Sequence, residues 1–241
     1  MITFRNIWFS NRPKANVRGD ITFGNILFFI AGTIGIATKN GYEYGFPYWH
    51  NSEYFVNELP SVKPGEYVMI EIPEGDFSGF GFPDWCSIFG YMQSEKYFAH
   101  CKDLIRHYFT LKDRGETQYK DCVLIHCRNY AQQYLDIGFT NMPREYYMEA
   151  LKYFPDKRVI VVTDNIEEAR KTIGQDYKYV SNTPIEDFYL MSKAENLIMS
   201  NSTFSWWAAW LSGAKTVVPK DWFPRLPVST RDVNCDNWIQ I

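Results

Sequence analysis

The sequence predicts an α/β protein whose C-terminal half is built around a parallel β-sheet. The main observation is that short apolar runs alternate with stretches of helical periodicity throughout the second half of the chain. Such alternation is typical of strand–helix–strand units. The composition agrees, because 46% of the 241 residues are hydrophobic and 18% are aromatic, which is enough to fill a substantial core.

The first elements are predicted from an apolar run and the residues that bound it. Residues 26–37 are apolar with small glycine and alanine positions, and they lie between Asn25 and Gly41. We therefore predict a buried helix, lying close against a sheet, with Asn25 near its N-cap and Gly41 at its C-cap. Strands are expected at residues 44–47 and 67–72.

A helix and a linker are predicted next. Apolar and aromatic residues recur at helical spacing through residues 94–111, which predicts a helix there. The polar stretch 112–120 contains Gly115 and is typical of a linker. We accordingly expect an N-terminal lobe over residues 1–115 and a C-terminal lobe over residues 116–241.

The C-terminal half reads as a regular alternation of elements. Strands are predicted at residues 122–126, 158–163, 177–180, 197–199 and 216–219, and helices at residues 143–154, 166–173, 185–194 and 204–211. In parallel sheets, ligands bind beyond the carboxyl ends of the strands. That rule selects residues 126–130, 163–165 and 200–205 as the candidate site.

The segment 200–205 carries hydroxyl and amide side chains from a strand end into a helix start. Its hydroxyl groups belong to Ser200, Ser202, Thr203 and Ser205. Backbone N–H groups in the first turn of a helix have no partner within the helix, so this segment suits a phosphate. An ordinary N-cap explains the same residues. The tryptophans that follow indicate core packing more than sugar stacking.

Two charged side chains end neighbouring predicted strands. Arg128 can donate two hydrogen bonds to a diphosphate and stays charged at any pH. Asp164 can accept hydrogen bonds from the N1–H and exocyclic amine of guanine. Ordinary interpretations stay open, because Arg128 can be a surface arginine and Asp164, with Asn165, can cap a helix. His126 can equally be a hydrogen-bonded core histidine.

Charge and motif content exclude several classes of protein. The net charge is −3 and the basic residues are scattered, which excludes the basic stripe of a nucleic-acid-binding protein. The five cysteines include no Cys-x-x-Cys pair, and no Asp-x-Asp motif occurs, so neither a zinc site nor a metal-bridged nucleotide-sugar site is predicted. Phosphate-binding loops of the P-loop type and the nucleophile elbow of α/β-hydrolases are absent as well.

The N-terminal sequence bears on the location of the protein. Arg5 and Asn6 interrupt the apolar residues at the start, so no signal peptide is expected. The apolar run at residues 26–37 is shorter than the ~20 residues that cross a bilayer. We expect a cytoplasmic protein without a transmembrane segment.

Four sequence blocks match motifs that occur together in one family. They lie at residues 24–28 (Gly-Asn-Ile-Leu-Phe), 93–98 (Gln-Ser-Glu-Lys-Tyr-Phe), 189–192 followed by 200–211, and 218–223 (Val-Pro-Lys-Asp-Trp-Phe). Within the third block, residues 200–211 read Ser-Asn-Ser-Thr-Phe-Ser-Trp-Trp-Ala-Ala-Trp-Leu and are nearly identical to the motif. On these residues the chain resembles glycosyltransferase family 11, the α-1,2-fucosyltransferases.

The resemblance implies a fold, an activity and a set of partners. The implied fold is a two-lobed α/β structure of the GT-B type, with a Rossmann-like parallel-sheet lobe at the C-terminus that binds the donor. The implied reaction is inverting transfer of fucose from GDP-β-L-fucose to a glycan hydroxyl, α-1,2 to a galactoside. The implied partners are a GDP-sugar and an oligosaccharide acceptor, with no cofactor, metal or nucleic acid. Peripheral contact with a membrane stays open.

The resemblance also assigns roles to individual residues. Those assigned to donor binding are Gly24, Asn25, His126, Arg128, Asp164, Ser200, Ser202, Thr203 and Ser205. Arg128 would hold the β-phosphate and stabilise the leaving diphosphate, with Gly24 and Asn25 approaching the same group. His126 and Asp164 would face the guanosine, and the four hydroxyl residues would close around the phosphates and fucose. The general base is not identified, and Asp84, Glu95 and His50 remain open.

One motif departs from the family pattern. The family's His-x-Arg-Arg-Gly-Asp-Tyr appears here as the five residues His126 to Tyr130, in which Asn129 replaces the second arginine and the Gly-Asp pair is missing. The loop is therefore shorter and lacks a carboxylate. Two alternatives follow, a transferase for another GDP-hexose and a non-catalytic homologue that binds GDP or a glycan.

Overall fold

The structure is a computed structural model that describes residues 1–4, 22–115 and 118–241. Arg5 and Asn6 lie outside the described residues, as do residues 116–117, where the predicted boundary between the lobes falls. The chain divides into two compact units, Met1–Lys112 and Asp113–Ile241, and each is described by itself.

The N-terminal unit contains a small parallel sheet and one long helix. Strands β1 (Ile2–Thr3), β2 (Val68–Glu71) and β3 (Cys86–Phe89) pair in the order β1-β3-β2. Helix α1 (Phe23–Asn40) is buried along most of its length, because its sequence is apolar all round. The helix ends at Gly41, whose φ of 70° confirms the predicted C-cap.

The start and the packing of α1 correct two predictions. Its N-cap is Thr22, so Asn25 lies inside the first turn instead of at the cap. Helix α1 contacts strand β1, but its small positions Gly32 and Gly35 lie against Met92 and Tyr97 and not against a strand. A Cβ atom at Gly35 would lie 2.0 Å from the carbonyl oxygen of Tyr97, so only glycine permits this approach.

Two further predictions for the N-terminal unit are wrong in part. The helix predicted at residues 94–111 is two 3₁₀ turns, Glu95–Tyr97 and Ala99–Cys101, followed by helix α2 (Lys102–Tyr108). Phe98 interrupts it with φ −136° and ψ 5°. The strand predicted at residues 44–47 is reduced to isolated bridges, and Pro47 lacks the N–H that would extend it.

The C-terminal unit contains the predicted parallel sheet. Its strands are β4 (Cys122–Cys127), β5 (Arg158–Thr163), β6 (Lys178–Val180), β7 (Asn196–Ile198), β8 (Lys215–Val218) and β9 (Ile239–Gln240). They pair in the order β6-β5-β4-β7-β8-β9, and each of these pairs is parallel. Every residue of β4 is buried, as expected for a central strand with both faces covered.

Helices cover both faces of this sheet. They are α3 (Gln132–Asp136), α4 (Arg144–Leu151), α5 (Ile166–Ile173), α6 (Pro184–Ser192) and α7 (Thr203–Ser212). Val123 and Ile125 of β4 pack with residues of α4 and α5. His126 points to the other face of the strand, where its ring centroid lies 5.8 Å from that of Phe204 in α7.

The tryptophans of α7 belong to the core, which confirms the packing interpretation. Trp206 and Trp207 are fully buried, and Trp210 is nearly so. The Trp206 indole N–H donates to the carbonyl of Val233 at 2.7 Å. These side chains therefore stabilise the back of the helix that carries the hydroxyl-rich segment at its front.

Candidate functional site

The order of the described strands reverses between β4 and β7. From β4 the chain continues to β5 and β6 on one side, whereas β7 leads to β8 and β9 on the other. At such a switch point the loops that leave the two strands diverge and open a crevice at the carboxyl edge of the sheet. Arg128 follows β4 and Ser200 follows β7 closely, so both belong to the loops at this crevice.

Arg128 is placed by a carboxylate and an aromatic ring. Its guanidinium forms an ion pair with the carboxylate of Asp164, which follows β5. The guanidinium carbon also lies 5.6 Å from the centroid of the Tyr130 ring, within cation–π distance. The Arg128 and Asp164 side chains are 36% and 51% exposed, so a ligand can reach both. At this exposure the pair adds little stability, and its effect is to orient the guanidinium.

His126 is buried behind this charged pair. Its Nδ1 lies 3.1 Å from the Ser200 hydroxyl oxygen, within hydrogen-bonding distance. Burial, aided by the nearby positive charge of Arg128, lowers the pKa of His126 to about 3. The ring is therefore neutral at physiological pH. This arrangement is that of a hydrogen-bonded core histidine, and contact with a nucleoside stays a prediction.

The four predicted hydroxyl groups fall into two pairs. Ser200 and Ser205 are fully buried. The Ser200 hydroxyl interacts with His126, and the Ser205 hydroxyl donates to the carbonyl of Ser202 at 3.2 Å. Ser202 and Thr203 are only partly buried. The second pair can therefore contact a ligand, whereas the first pair is engaged inside the protein.

The start of α7 differs from the start of α5. Ser202 occupies the N-cap, yet within the described part of the chain its side chain makes no capping hydrogen bond. In α5 the predicted cap is confirmed, because the Asn165 side chain accepts from the Glu168 N–H at 3.2 Å. In α6 the Glu186 carboxylate accepts hydrogen bonds from the N–H and the hydroxyl of Thr183 at 2.9 and 2.6 Å. Within the described ranges, the Ser202 side chain therefore does not occupy a first-turn N–H group of α7, and such groups suit an anion.

The loops after β4 and β7 are joined by hydrogen bonds that the sequence did not predict, although Tyr130 and Asn201 lie in the selected segments. The Tyr130 hydroxyl donates to the carbonyl of Asn201 at 2.8 Å, and the Tyr130 N–H donates to Asn141 at 2.6 Å. The Asn201 amide in turn donates to the carbonyls of Thr140 and Trp222 at 2.6 and 2.8 Å. In the sequence, Asn201 stands out only as an asparagine among serine and threonine residues. The sequence does not indicate which groups it bonds to.

A buried carboxylate near Asp164 was missed as well. Asp187 lies in the first turn of α6 and is 7% exposed. Burial raises the pKa of Asp187, and the charge of Asp164 acts in the same direction. The side-chain amide of Asn182 donates to this carboxylate at 2.8 Å. The signal in the sequence was an acidic residue within a largely apolar helical segment.

Gly24 and Asn25 lie in the N-terminal unit, in the first turn of α1. The Asn25 side-chain oxygen accepts a hydrogen bond from the Gln93 amide at 3.0 Å, which joins two of the sequence blocks. Their approach to donor phosphates stays a prediction. The three open candidates for a general base, Asp84, Glu95 and His50, also belong to this unit, and the structure selects none of them.

The described residues contain neither a cluster suited to a metal ion nor a helix suited to a membrane. No group of three or more histidine, cysteine, aspartate or glutamate side chains in the described ranges is arranged to hold a metal ion. Metal independence itself stays a prediction. Among the helices of these same ranges, none is both long and apolar enough to span a membrane.

One family model matches most of the chain. The family model for Glycosyl transferase family 11 matches residues 49–241. The chain is 28% identical over 177 residues to an alpha-1,2-colitosyltransferase of Escherichia coli, covering 63% of this chain and 61% of that protein. It is 34% identical over 113 residues to the O-antigen biosynthesis glycosyltransferase WbnK of Escherichia coli, covering 42% of this chain and 37% of that protein.

A mammalian protein is similar too. The galactoside alpha-(1,2)-fucosyltransferase 1 of Oryctolagus cuniculus is 27% identical over 188 residues, covering 63% of this chain and 46% of that protein. The chain therefore spans less than two thirds of the length of each of these relatives.

Proposed function

The chain belongs to glycosyl transferase family 11, and we propose that it transfers fucose from GDP-β-L-fucose to a glycan hydroxyl with inversion, α-1,2 to a galactoside. One observation carries the proposal. Arg128, which follows β4, and the start of α7, which follows β7 and has no side-chain cap among the described residues, both lie at the switch point between these strands. Together they form a donor set for a diphosphate. The relatives named as fucosyl- and colitosyltransferases support this choice of chemistry.

The reaction follows from where charge develops. The acceptor oxygen attacks the anomeric carbon from the face opposite the diphosphate, the bond from that carbon to the phosphate oxygen breaks, and the acceptor proton passes to a base. Negative charge grows on the leaving GDP as the bond breaks. Arg128 and the first-turn N–H groups of α7 would stabilise that charge most in the transition state, which raises the rate of the chemical step.

Two carboxylates support guanine as the base of the donor. Asp164 and Asp187 lie close enough that the charge of the first raises the pKa of the second. The guanine edge offers an N1–H and an exocyclic amine, which suit a carboxylate acceptor. We propose that the diphosphate replaces Asp164 as the partner of Arg128, so that a carboxylate becomes available to the guanine.

The remaining features of the proposal extend to the whole chain. The two compact units would be the two lobes of a GT-B enzyme, with the parallel-sheet unit binding the donor. No metal or cofactor is needed in this scheme, because Arg128 and the start of α7 neutralise the diphosphate. The acceptor would be an oligosaccharide, and the protein would act in the cytoplasm with peripheral membrane contact left open.

A second candidate keeps the fold and changes the donor sugar. It is favoured by the relative named as a colitosyltransferase and by the short loop from His126 to Tyr130. In that case the guanosine and diphosphate contacts stay the same, and only the sugar differs. The third alternative is a non-catalytic protein that binds GDP or a glycan. It is suggested by the same short loop from His126 to Tyr130.

Calorimetric titration separates these functions. The wild type and Arg128→Ala would be titrated with GDP, GDP-fucose and GDP-mannose, and turnover would be assayed with galactoside acceptors. We expect GDP-fucose to bind more tightly than GDP-mannose and the variant to lose most of its affinity for all three. Equal or reversed affinity for the two sugars would support the second candidate. If no turnover is found and Arg128→Ala binds GDP as tightly as the wild type, the proposal that the chain is an active transferase is wrong.

A further inference from the structure

We propose that Tyr130 is a positioning residue that fixes Arg128 relative to the loop leaving β7. The positioning itself is a property of the ligand-free protein. Its consequence for GDP and for turnover rests on the proposed function.

The backbone and the hydroxyl of Tyr130 are anchored to different parts of the unit. Its N–H donates to the side-chain oxygen of Asn141 at 2.6 Å, and its hydroxyl donates to the carbonyl of Asn201 at 2.8 Å. Burial raises the pKa of Tyr130 well above its ordinary value, so the phenol stays protonated and can donate. The ring thus spans from the end of the β4 loop to the loop after β7.

The acceptor of this hydrogen bond is itself held in place. Asn201 is fully buried, and its amide donates to the carbonyls of Thr140 and Trp222. The next residue, Ser202, donates its N–H to the carbonyl of Ser200 at 2.8 Å. Because Tyr130 bonds to this turn, its position is fixed relative to the segment that starts α7.

The ring of Tyr130 packs against other aromatic side chains. Its centroid lies 4.9 Å from that of Phe139 and 6.2 Å from those of Tyr134 and Phe223. The Arg225 guanidinium holds the segment that carries Phe139, because it donates to the carbonyls of Leu135 and Phe139. These contacts support the Tyr130 ring, and the Arg128 guanidinium carbon lies 5.6 Å from its centroid.

The position of Arg128 therefore depends on two supports, the Asp164 carboxylate and the Tyr130 ring. In the proposed complex the diphosphate replaces the first of them, and the Tyr130 ring remains. Small displacements of a group that stabilises a transition state reduce the rate strongly. A ring fixed to the loop after β7 would keep the guanidinium at a constant distance from the N–H groups of α7.

The test uses one matched control. Tyr130→Phe removes the bond to Asn201 and keeps the ring, whereas Tyr130→Leu removes both. The control is Tyr146→Phe, because the Tyr146 hydroxyl donates in the same way to the carbonyl of Met199 at 2.6 Å, at the same strand exit. Circular dichroism and thermal unfolding would establish that each variant folds.

The first readout needs no ligand. Relaxation of the Arg128 Nε–Hε group by ¹⁵N NMR reports how firmly the side chain is held. We expect greater mobility of Arg128 in Tyr130→Phe, still greater mobility in Tyr130→Leu, and none of this change in Tyr146→Phe. Unchanged mobility in folded Tyr130→Leu, or an equal change in the control, would overturn the proposal whether or not the protein binds GDP.

The second readout is a double-mutant cycle in which GDP affinity is measured for Tyr130→Phe, Arg128→Ala and the variant with both substitutions. We expect Tyr130→Phe to weaken GDP binding roughly fivefold to tenfold in the wild-type background and to have almost no further effect once Arg128 is alanine. If the effects of the two substitutions on GDP affinity are additive, Tyr130 does not act by positioning Arg128. A wild type that binds no GDP would contradict the proposed function alone, and the relaxation data would still decide the role of Tyr130.

Discussion

The loops after β4 and β7 belong to the same crevice but present different chemistry. After β4, the charged side chain of Arg128 is partly exposed and is oriented by the more exposed Asp164. After β7, Ser200 and Asn201 are fully buried and bonded within the protein. The first loop therefore offers a side-chain charge to a ligand, and the second offers mainly the backbone N–H groups of α7.

This difference separates two kinds of residue that the sequence placed together. Substitutions in the exposed loop should change ligand binding with little effect on folding. Substitutions of the buried residues should change the free energy of unfolding with little effect on binding. The following variants test that separation, from the largest expected effect to the smallest.

Arg128→Ala should have the largest effect. We expect turnover to fall by about 10²–10³, since loss of one well-placed donor to a developing charge has that size in other enzymes. Steady-state kinetics with a GDP-sugar would measure the fall, and urea unfolding should show little change. Arg128→Lys is the control, because it keeps the charge but loses the two-pronged geometry and should recover only part of the activity. Full activity in Arg128→Ala would contradict the assignment.

Ser200→Ala should act on stability instead. Loss of the hydroxyl leaves the buried His126 nitrogen without its observed partner, which costs about 1–3 kcal/mol of unfolding free energy. Urea denaturation would measure the loss, and calorimetry should show GDP affinity within about threefold of the wild type. A large loss of GDP affinity without loss of stability would show that the Ser200 hydroxyl contacts the ligand.

The pH dependence of stability tests the neutral state of His126. Its pKa is lowered to about 3 in the folded protein, against ~6.5 when unfolded. Below the unfolded value the unfolded chain binds a proton that the folded protein does not bind. Stability should therefore fall with decreasing pH by up to about 1.4 kcal/mol per unit. Urea unfolding between pH 5 and 7 should show a shallower slope for His126→Gln, and identical slopes would contradict a buried neutral histidine.

Ser202→Ala should have the smallest effect on folding. Loss of a capping side chain usually costs ~1 kcal/mol, but the Ser202 side chain makes no capping bond among the described residues. We expect almost no change in unfolding free energy and a few-fold weaker GDP binding. Asn165→Ala is the matched comparison, since this side chain does cap α5 and its loss should cost ~1 kcal/mol. Equal destabilisation by the two substitutions would contradict the open start of α7.

Much of the fold could be predicted because its longer elements have clear patterns. Strand β5 and helix α5 have the bounds that the sequence predicts. Strands β1 and β9 contain only two residues each, too few to show any periodicity. The interruption at Phe98 depends on contacts with α1 that no local pattern reports.

The site could be predicted at the level of loops. A parallel sheet brings the carboxyl ends of its strands to one edge, so Arg128, Asp164 and Ser200 could be placed at that edge from the sequence. The direction of each hydroxyl could not be predicted, because N-cap spacing is the same whether a side chain points inward or outward. The Tyr130–Asn201 bond joins residues distant in sequence and depends on tertiary packing.

The most direct measurement of the central claim is a crystal structure of the protein soaked with GDP-fucose. The claim is that the diphosphate binds at the carboxyl edge between β4 and β7. We predict a β-phosphate oxygen within hydrogen-bonding distance of the Arg128 guanidinium and the first-turn N–H groups of α7, with the Asp164 ion pair opened. A diphosphate bound elsewhere, with the Arg128–Asp164 pair intact, would contradict the account.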